Sequence, residues 1–304
     1  MTATWSALKT FTSKTSAAPG RGTLAVAPPR QAAKPVQLLR MLGEMSHLPL
    51  CTTCLGLAED GRPLLIRLSS PDVGHLLLIG AAGSGKTELM RAMLVSLALT
   101  HRQSQLQLAL IDLKGRGFAP LAGLPHLLAP VAANLGDATA LLDRLAAEME
   151  RRNPAAVSTP DIVVAVDELT DLLTGAGTPA EKALLCLAQR GRQAGIHLVV
   201  SARQAATPVL EPMLTFISGR LVGHVGSGAE ARAASGLPAC GAEALLGRGD
   251  FLALVAGQKV HFQAAWIPAG EWPTALHRLG QPHNRAQPSS QRRQPTCKNS
   301  SLSW

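Results

Sequence analysis

Aromatic residues are scarce in this chain of 304 residues, since tyrosine is absent and phenylalanine and tryptophan together supply 3% of the sequence. Proteins that hold single-stranded nucleic acid without sequence preference stack its bases on aromatic side chains. The composition therefore argues against such a platform. The hydrophobic content of 46% comes mainly from Ala, Leu and Val, which favours helices packed on a buried sheet in one large α/β domain.

Long hydrophobic runs are also lacking. No apolar stretch reaches the ~20 residues of a membrane-spanning helix, and the longest candidate, residues 121–135, is interrupted by two prolines and a histidine. We find no signal-peptide pattern. The five cysteines contain one C-x-x-C pair, Cys51 and Cys54, without a second pair. A zinc site is therefore not favoured, and the expected state is that of reduced thiols in a cytoplasmic protein.

Acidic residues are missing from both ends of the chain. Residues 1–43 hold six basic residues and residues 272–304 hold five, with no acid in either segment. Both segments are rich in small and polar residues, which predicts a disordered basic N-terminal arm (1–43) and a disordered basic C-terminal tail (272–304). An organelle transit peptide is an alternative for the arm. The predicted globular domain, 44–271, has 18 basic and 20 acidic residues.

The segment from residue 80 to residue 87 has the pattern G-x-x-x-x-G-K-T and follows an apolar run, as expected of a Walker A loop between a strand and a helix. Glycines let backbone N–H groups approach phosphates, the lysine supplies a charge for the β- and γ-phosphates, and the threonine offers a hydroxyl to Mg²⁺. The helix that follows directs its N-terminal dipole at the same anion. A glycine-rich turn without a ligand is the alternative interpretation. The predicted nucleotide-binding residues are Gly80, Ala81, Ala82, Gly83, Ser84, Gly85, Lys86 and Thr87.

A second apolar run, residues 161–166, ends in Asp167 and Glu168. A β-branched run of this kind is typical of a strand buried in a parallel sheet. An acid at its carboxyl end lies beside the Walker A loop and can hold Mg²⁺, while the next acid can activate a water. We therefore predict Asp167 as a metal-side residue, together with Thr87, and Glu168 as the catalytic base. Two solvated acids at a strand end are the alternative.

Apolar runs alternate with helical patterns along residues 64–266, which predicts a doubly wound, mostly parallel sheet. Ligands of such sheets bind at the carboxyl ends of the strands. Lys86, Asp112, Asp167 and Ser201 all follow or end predicted strands, so we expect them at one edge.

The motifs taken together resemble the motor domain of the FtsK/SpoIIIE DNA translocases over roughly residues 47–268. Their order along the chain is also the order in that family. The matching segments are His75–Thr87, Ile111–Gly115, Leu124–Val131, Glu148–Arg152, Val166–Leu169, Leu187–Leu198 and Gly241–Asp250.

The resemblance implies a RecA-like P-loop ATPase that forms a hexameric ring around double-stranded DNA and hydrolyses ATP, with Mg²⁺, between subunits. The family's arginine finger falls on Arg192, which a solvated helix-end arginine would also explain. Of two pore residues that contact DNA phosphates, the arginine corresponds to Arg232, while Gly228 stands where the family has lysine. An ordinary surface arginine is the alternative for Arg232.

The chain also departs from the family pattern after the Ile196–Ser201 segment. The usual T-Q-R-P is replaced by Ala202-Arg203-Gln204-Ala205, so the glutamine that senses the γ-phosphate or the attacking water is missing or displaced to Gln204. The resemblance covers a motor without the family's membrane-spanning and winged-helix regions.

We predict an ATP-hydrolysing translocase of double-stranded DNA. One alternative is a coupling or secretion ATPase of the same superfamily that works with a separate membrane anchor. Another is a nucleotide-dependent DNA-binding module with slow hydrolysis, suggested by the altered T-Q-R-P segment and by Gly228.

Overall fold

The computed structural model of the protein describes residues 8–10, 35–45, 48–208 and 210–280. Its strands are β1 (Leu8–Thr10), β2 (Val36–Gln37), β3 (Thr52–Ala58), β4 (Pro63–Arg67), β5 (Leu76–Ile79), β6 (Leu106–Ile111), β7 (Asp161–Val166), β8 (Ile196–Ala202), β9 (Gly219–Gly223), β10 (Asp250–Val255) and β11 (Gln258–Trp266). Its helices are α1 (Leu38–Glu44), α2 (Lys86–Thr100), α3 (Leu135–Arg152), α4 (Leu169–Arg190), α5 (Glu211–Leu214), α6 (Gly228–Ser235) and α7 (Trp272–Gly280).

One large sheet joins these strands in the order β1-β4-β3-β11-β10-β9-β5-β8-β7-β6, with β2 beside β11. The α/β class predicted from the sequence is confirmed. Along that order, however, neighbouring strands are parallel only from β9 through β5, β8 and β7 to β6, and β2 also pairs in parallel with β11. The expectation of a mostly parallel sheet therefore holds for the half that contains the Walker A strand.

Most neighbouring strands in the other half of the sheet are antiparallel, and tight turns connect two of these pairs, β3–β4 and β10–β11. Ala256 and Gly257 join β10 to β11 with φ angles of 53° and 73°, and two residues with positive φ form the turn that suits a twisted antiparallel hairpin. A parallel pair would need a much longer crossover.

Side chains of the Walker A strand alternate between two cores. Leu76 and Leu78 pack with the apolar residues of α2, whereas Leu77 and Ile79 pack with those of α3 and α4. The alternation follows from the two-residue period of a strand. Since helices cover both faces, β5 is buried throughout and its carboxyl end is fixed in position.

The globular part extends beyond the predicted boundaries at both ends. The predicted disordered arm, 1–43, contains β1, β2 and all but the last residue of α1, and β1 pairs with β4 and β2 with the end of β11. The helix α7 likewise lies in the predicted tail. These segments were assigned to disordered tails on their average composition, which does not reveal a short cluster of apolar residues within a polar sequence. The buried side chains are Val36, Leu38, Leu39, Met41, Leu42, Ala275 and Leu279. Most of both predicted tails, residues 1–7, 11–34 and 281–304, lies outside the described residues.

The helix α4 contains a kink that splits it into two segments. Gly177 has φ 63° and ψ −154°, and Pro179 follows. Thr and Gly residues interrupt the apolar pattern of the turns before the kink, although Leu169, Leu172 and Leu173 are buried there.

Candidate nucleotide-binding site

The Walker A loop lies between β5 and α2, as predicted, and neighbouring backbone holds it from outside. Ala81 N donates to His224 O at 2.7 Å, and Gly249 N donates to Ser84 O at 2.9 Å. A Cβ on Gly85 would lie 2.9 Å from Gly249 N, and the φ angle of Gly85 is 100°. Only glycine fits this close approach. The loop is therefore shaped by contacts that leave its inner side to a ligand.

Lys86 begins α2 and is buried, with 9% of its surface exposed. Its Nζ donates to Gly80 O at 2.6 Å and to Ala81 O at 3.2 Å. Burial lowers the pKa of Lys86, while the nearby carboxylates of Glu168 and Asp167 oppose that shift. An ammonium group held this way, with neutral carbonyl partners, can exchange them for phosphate oxygens.

Asp167 lies at the carboxyl end of β7 and meets two hydroxyl groups. Thr87 Oγ1 donates to Asp167 Oδ1 at 3.1 Å, and Ser201 Oγ donates to the same oxygen at 3.3 Å. A Cβ on Gly117 would approach Asp167 Oδ2 to 2.3 Å, so a bare glycine makes room for the carboxylate. The structure thus brings together the two residues predicted to hold a metal ion: Thr87 in α2, which follows β5, and Asp167 at the end of β7.

Glu168 follows in the left-handed backbone region, with φ 70° and ψ 76°. Its N–H donates to Ser201 Oγ at 3.1 Å, and its Oε2 accepts from Arg203 Nε at 2.9 Å. The side chain of Glu168 is 10% exposed and that of Arg203 is 59% exposed. The predicted base is therefore paired with an arginine that sequence reasoning did not assign to the site. Arg203 lines the cleft that contains the Walker A residues, whereas Gln204, the position to which the sensor glutamine could be displaced, does not line it.

These groups line one wall of a cleft of about 1900 Å³. The facing wall was not predicted. The segment Leu246–Asp250, the end of β11 and Pro35 contribute to it. Trp266 is 38% exposed there. The sequence signal for this wall was the glycine-rich segment 247–249, which belongs to the Gly241–Asp250 motif.

Three further cleft residues, His261, Asp250 and Glu59, form a charged cluster on the facing wall. His261 bonds to the carboxylates of Asp250 and Glu59. The hydrogen bond to Asp250 is the main cause that raises the pKa of His261, with Glu59 adding to it.

Asp112, expected at the same edge, has a different role. Its carboxylate accepts from Lys114 N at 3.2 Å and from Phe118 N at 2.9 Å. It is 1% exposed and folds the loop after β6 rather than lining the cleft.

Arg192 and Arg232 lie away from this cleft. Arg192 is in the turn before β8, at the amino ends of the parallel strands, where its guanidinium donates to Pro71 O at 2.9 Å. Arg232 is exposed on α6, which follows β9. Neither residue is among those lining the cleft of its own chain.

The fold and the site define a nucleotide-binding protein of the P-loop class. The cytoplasmic domain of the Type VII secretion ATPase EccC from Thermomonospora curvata has a similar structure, with a TM-score of 0.70 and 25% identity over 82% of this chain and 35% of that one. The pCW3 conjugation coupling protein TcpA shares the fold, with a TM-score of 0.66 and 19% identity over 81% of this chain and 75% of that one.

Sequence comparison then gives the family. The chain belongs to the FtsK/SpoIIIE family, whose model matches residues 40–157. It is 32% identical to the DNA translocase SftA of Bacillus subtilis over 277 residues, which are 82% of this chain and 29% of that protein. It is 34% identical to the DNA translocase FtsK of Helicobacter pylori over 69% of this chain and 27% of that protein. The chain thus spans about a third of the length of the curated relatives it matches.

In the part of the chain that the structure describes, no helix is long and apolar enough to cross a membrane.

Proposed function

We propose that this chain is the motor part of an ATP-driven translocase that moves double-stranded DNA. The observation that carries the proposal is the hydrogen bond of 3.1 Å between Thr87 and Asp167, with Lys86 beside it. It joins the two halves of a phosphate and metal site that lie eighty residues apart in sequence.

The residues of the cleft fit Mg²⁺ and ATP. The hydroxyl of Thr87 and the carboxylate of Asp167 are oxygen ligands of the kind that Mg²⁺ prefers. Bound Mg²⁺ would neutralise charge on the β- and γ-phosphates. The buried ammonium of Lys86 and the N-terminus of α2 suit the triphosphate. Glu168 has the position to accept a proton from the attacking water.

An arginine on the opposite edge of the sheet supports a ring of subunits. Arg192 lies at the amino ends of the strands, away from the cleft of its own chain. An arginine finger stabilises charge on the transferred phosphoryl group and can come from another subunit. We propose that Arg192 completes the site of a neighbour in a homo-hexamer.

The relatives named DNA translocases suggest the polymer. We propose that Arg232, exposed on α6, contacts the phosphates of duplex DNA, while Gly228 at the start of the same helix contributes no charge. The cytoplasmic location expected from the cysteine pattern stays a prediction.

A second candidate is a secretion or coupling ATPase that passes DNA or protein across a membrane with a separate anchor. The resemblance to the secretion ATPase EccC favours it.

The rate of ATP hydrolysis with duplex DNA, with single-stranded DNA and without polymer separates the candidates. Strong stimulation by duplex DNA supports the translocase. Indifference to either DNA, with active basal hydrolysis, contradicts it and favours secretion. Binding of duplex DNA without turnover also contradicts it and favours a nucleotide-dependent DNA-binding module, the third alternative.

A further inference from the structure

The ion pair between Arg203 and Glu168 lies in the cleft that the Walker A residues Lys86 and Thr87 also line. Arg203 follows β8 directly, and β8 runs beside the Walker A strand with Ala202 opposite Ile79. Gly80 N, the first donor of the loop, bonds to Ala202 O at 3.4 Å. The backbone of Arg203 therefore follows directly on the residue that bonds to Gly80, the first residue of the phosphate loop.

The two members of the pair differ in how firmly they are held. The Glu168 carboxylate is nearly buried, at 10% exposure, whereas the Arg203 side chain is 59% exposed. A buried carboxylate without a partner is costly, and Arg203 supplies a charged donor to the Glu168 carboxylate. The exposed arginine side chain is little restrained by packing, and the Lys86 ammonium, which interacts electrostatically with the Glu168 carboxylate, stays in place when the arginine turns to a stronger partner.

A triphosphate is such a partner. It carries more negative charge than one carboxylate, and the planar guanidinium suits phosphate oxygens. The other cations of this wall are engaged differently: Lys86 donates to two backbone carbonyls, and Lys114 pairs with Asp171 at 2.6 Å. Arg203 is thus the cation whose present partner is the predicted base itself.

We infer that Arg203 is a positioning residue that moves from Glu168 to the γ-phosphate of ATP. Before ATP binds, the pair occupies the carboxylate and keeps it from activating water. When the guanidinium turns to the γ-phosphate, Glu168 is released to accept a proton. The diphosphate product lacks the phosphate that draws Arg203 away, so the pair forms again. This inference rests on the proposed ATPase function.

The test compares the binding of ADP and of the slowly hydrolysed analogue ATPγS to the full chain. It uses the wild type, Arg203→Ala, Glu168→Gln and the double variant, with Arg144→Ala, an exposed arginine on α3, as the matched control. Loss of a charged hydrogen bond to phosphate should weaken ATPγS binding to Arg203→Ala by roughly 10-fold or more and leave ADP binding unchanged.

Glu168→Gln gives the sharper prediction, because removing the competing carboxylate should tighten ATPγS binding. In the double variant this gain should vanish, since Arg203 is no longer present to benefit from it. A merely structural pair would change the binding of both nucleotides alike, or of neither. Either result, or additive effects in the double variant, would overturn the inference.

Lys86→Ala separates this inference from the proposed function. If the wild type binds both nucleotides and Lys86→Ala binds neither, the function stands whatever Arg203 does. If Lys86→Ala binds nucleotide as the wild type does, the function itself fails and the inference fails with it. Equal melting temperatures of Arg203→Ala and Arg144→Ala exclude misfolding as the cause of a change.

Discussion

Polar side chains at the two edges of the parallel sheet differ in the kind of hydrogen-bond partner they have. We call the carboxyl ends of β5, β7 and β8 the cleft edge, and their amino ends the amino edge. At the amino edge, His75 donates from Nε2 to Ala188 O at 3.0 Å and accepts at Nδ1 from Leu198 N at 2.9 Å. Asp161 and His197 are paired at 3.0 Å and buried.

At the cleft edge, by contrast, the polar and charged side chains make hydrogen bonds that a ligand can replace. Lys86 donates to carbonyls, Thr87 to Asp167, and Arg203 to Glu168. The difference separates groups that stabilise the fold from groups that remain available for chemistry. Variants at the cleft edge should therefore change binding and turnover, and variants of the buried polar pairs at the amino edge should change stability. Arg192, which is exposed at the amino edge, is the exception, because we propose that it acts on a neighbouring subunit.

The largest effect should come from Lys86→Ala. The variant removes the ammonium from the phosphate loop and its charge-assisted hydrogen bonds. We expect no measurable ATP binding or turnover while the melting temperature stays close to that of the wild type. Isothermal titration and a phosphate-release assay measure both quantities. Near-normal ATPase activity would end the Walker A assignment.

Glu168→Gln should impair chemistry without loss of nucleotide affinity. The change keeps the shape of the side chain and removes the base, so kcat should fall by roughly 10²–10⁴ while ATP still binds. Steady-state kinetics and equilibrium binding test this separation. An unchanged kcat would show that the base lies elsewhere.

A mixture of variants tests whether Arg192 acts on a neighbouring subunit. Arg192→Ala and Glu168→Gln should each be inactive alone. At equal proportions, about a quarter of head-to-tail interfaces combine an intact base with an intact arginine, so turnover should recover to about a quarter of the wild-type rate. Absence of recovery at every ratio, or full activity of Arg192→Ala alone, would identify Arg192 as a surface residue.

The buried His75 at the amino edge should make the free energy of unfolding depend on pH. Burial, assisted by the nearby His197, lowers the pKa of His75 to about 4 from an unfolded value of 6.5. The unfolded chain therefore binds more protons at this residue between these values, and stability falls as the pH drops below 6.5. Denaturant unfolding should show a loss of about 2 kcal/mol from this group between pH 7 and pH 5.

His75→Gln, which can keep one donor and one acceptor, serves as the control for that experiment. Its stability should fall less over the same pH interval. An equal fall in both proteins would show that other groups cause the pH dependence.

Arg232→Ala should have the smallest effect, on duplex binding. One phosphate contact contributes about 0.9 to the slope of log affinity against log salt concentration. We expect the slope to flatten by about that amount, whereas Arg144→Ala on α3 should leave it unchanged. A slope that does not change would mean that the protein contacts its polymer elsewhere.

The sequence predicted the site better where chemistry constrains local pattern than where distant segments meet. The Walker A loop and the Asp167–Glu168 pair were recognisable because short motifs encode them, and the structure brings Thr87 and Asp167 together. The facing wall with Trp266 depends on the β10–β11 hairpin and on β2, so no local pattern predicted it. The pair between Arg203 and Glu168 was missed for a similar reason, since it joins the ends of two strands.

Average composition misled the assignment of the chain ends. Five apolar residues between Val36 and Leu42 suffice to bury β2 and α1, but they are diluted in a polar and basic arm. The fold class survived this error because the alternation of strands and helices extends over the whole domain.

Electron cryomicroscopy of the full chain with duplex DNA and a non-hydrolysable ATP analogue tests most directly whether the protein is a ring-shaped motor on double-stranded DNA. We expect a closed ring around the duplex, with the nucleotide between Lys86 of one subunit and Arg192 of the next, and with α6 facing the pore. A monomer with nucleotide in the cleft but without DNA, or a ring in which Arg192 faces solvent, would contradict it.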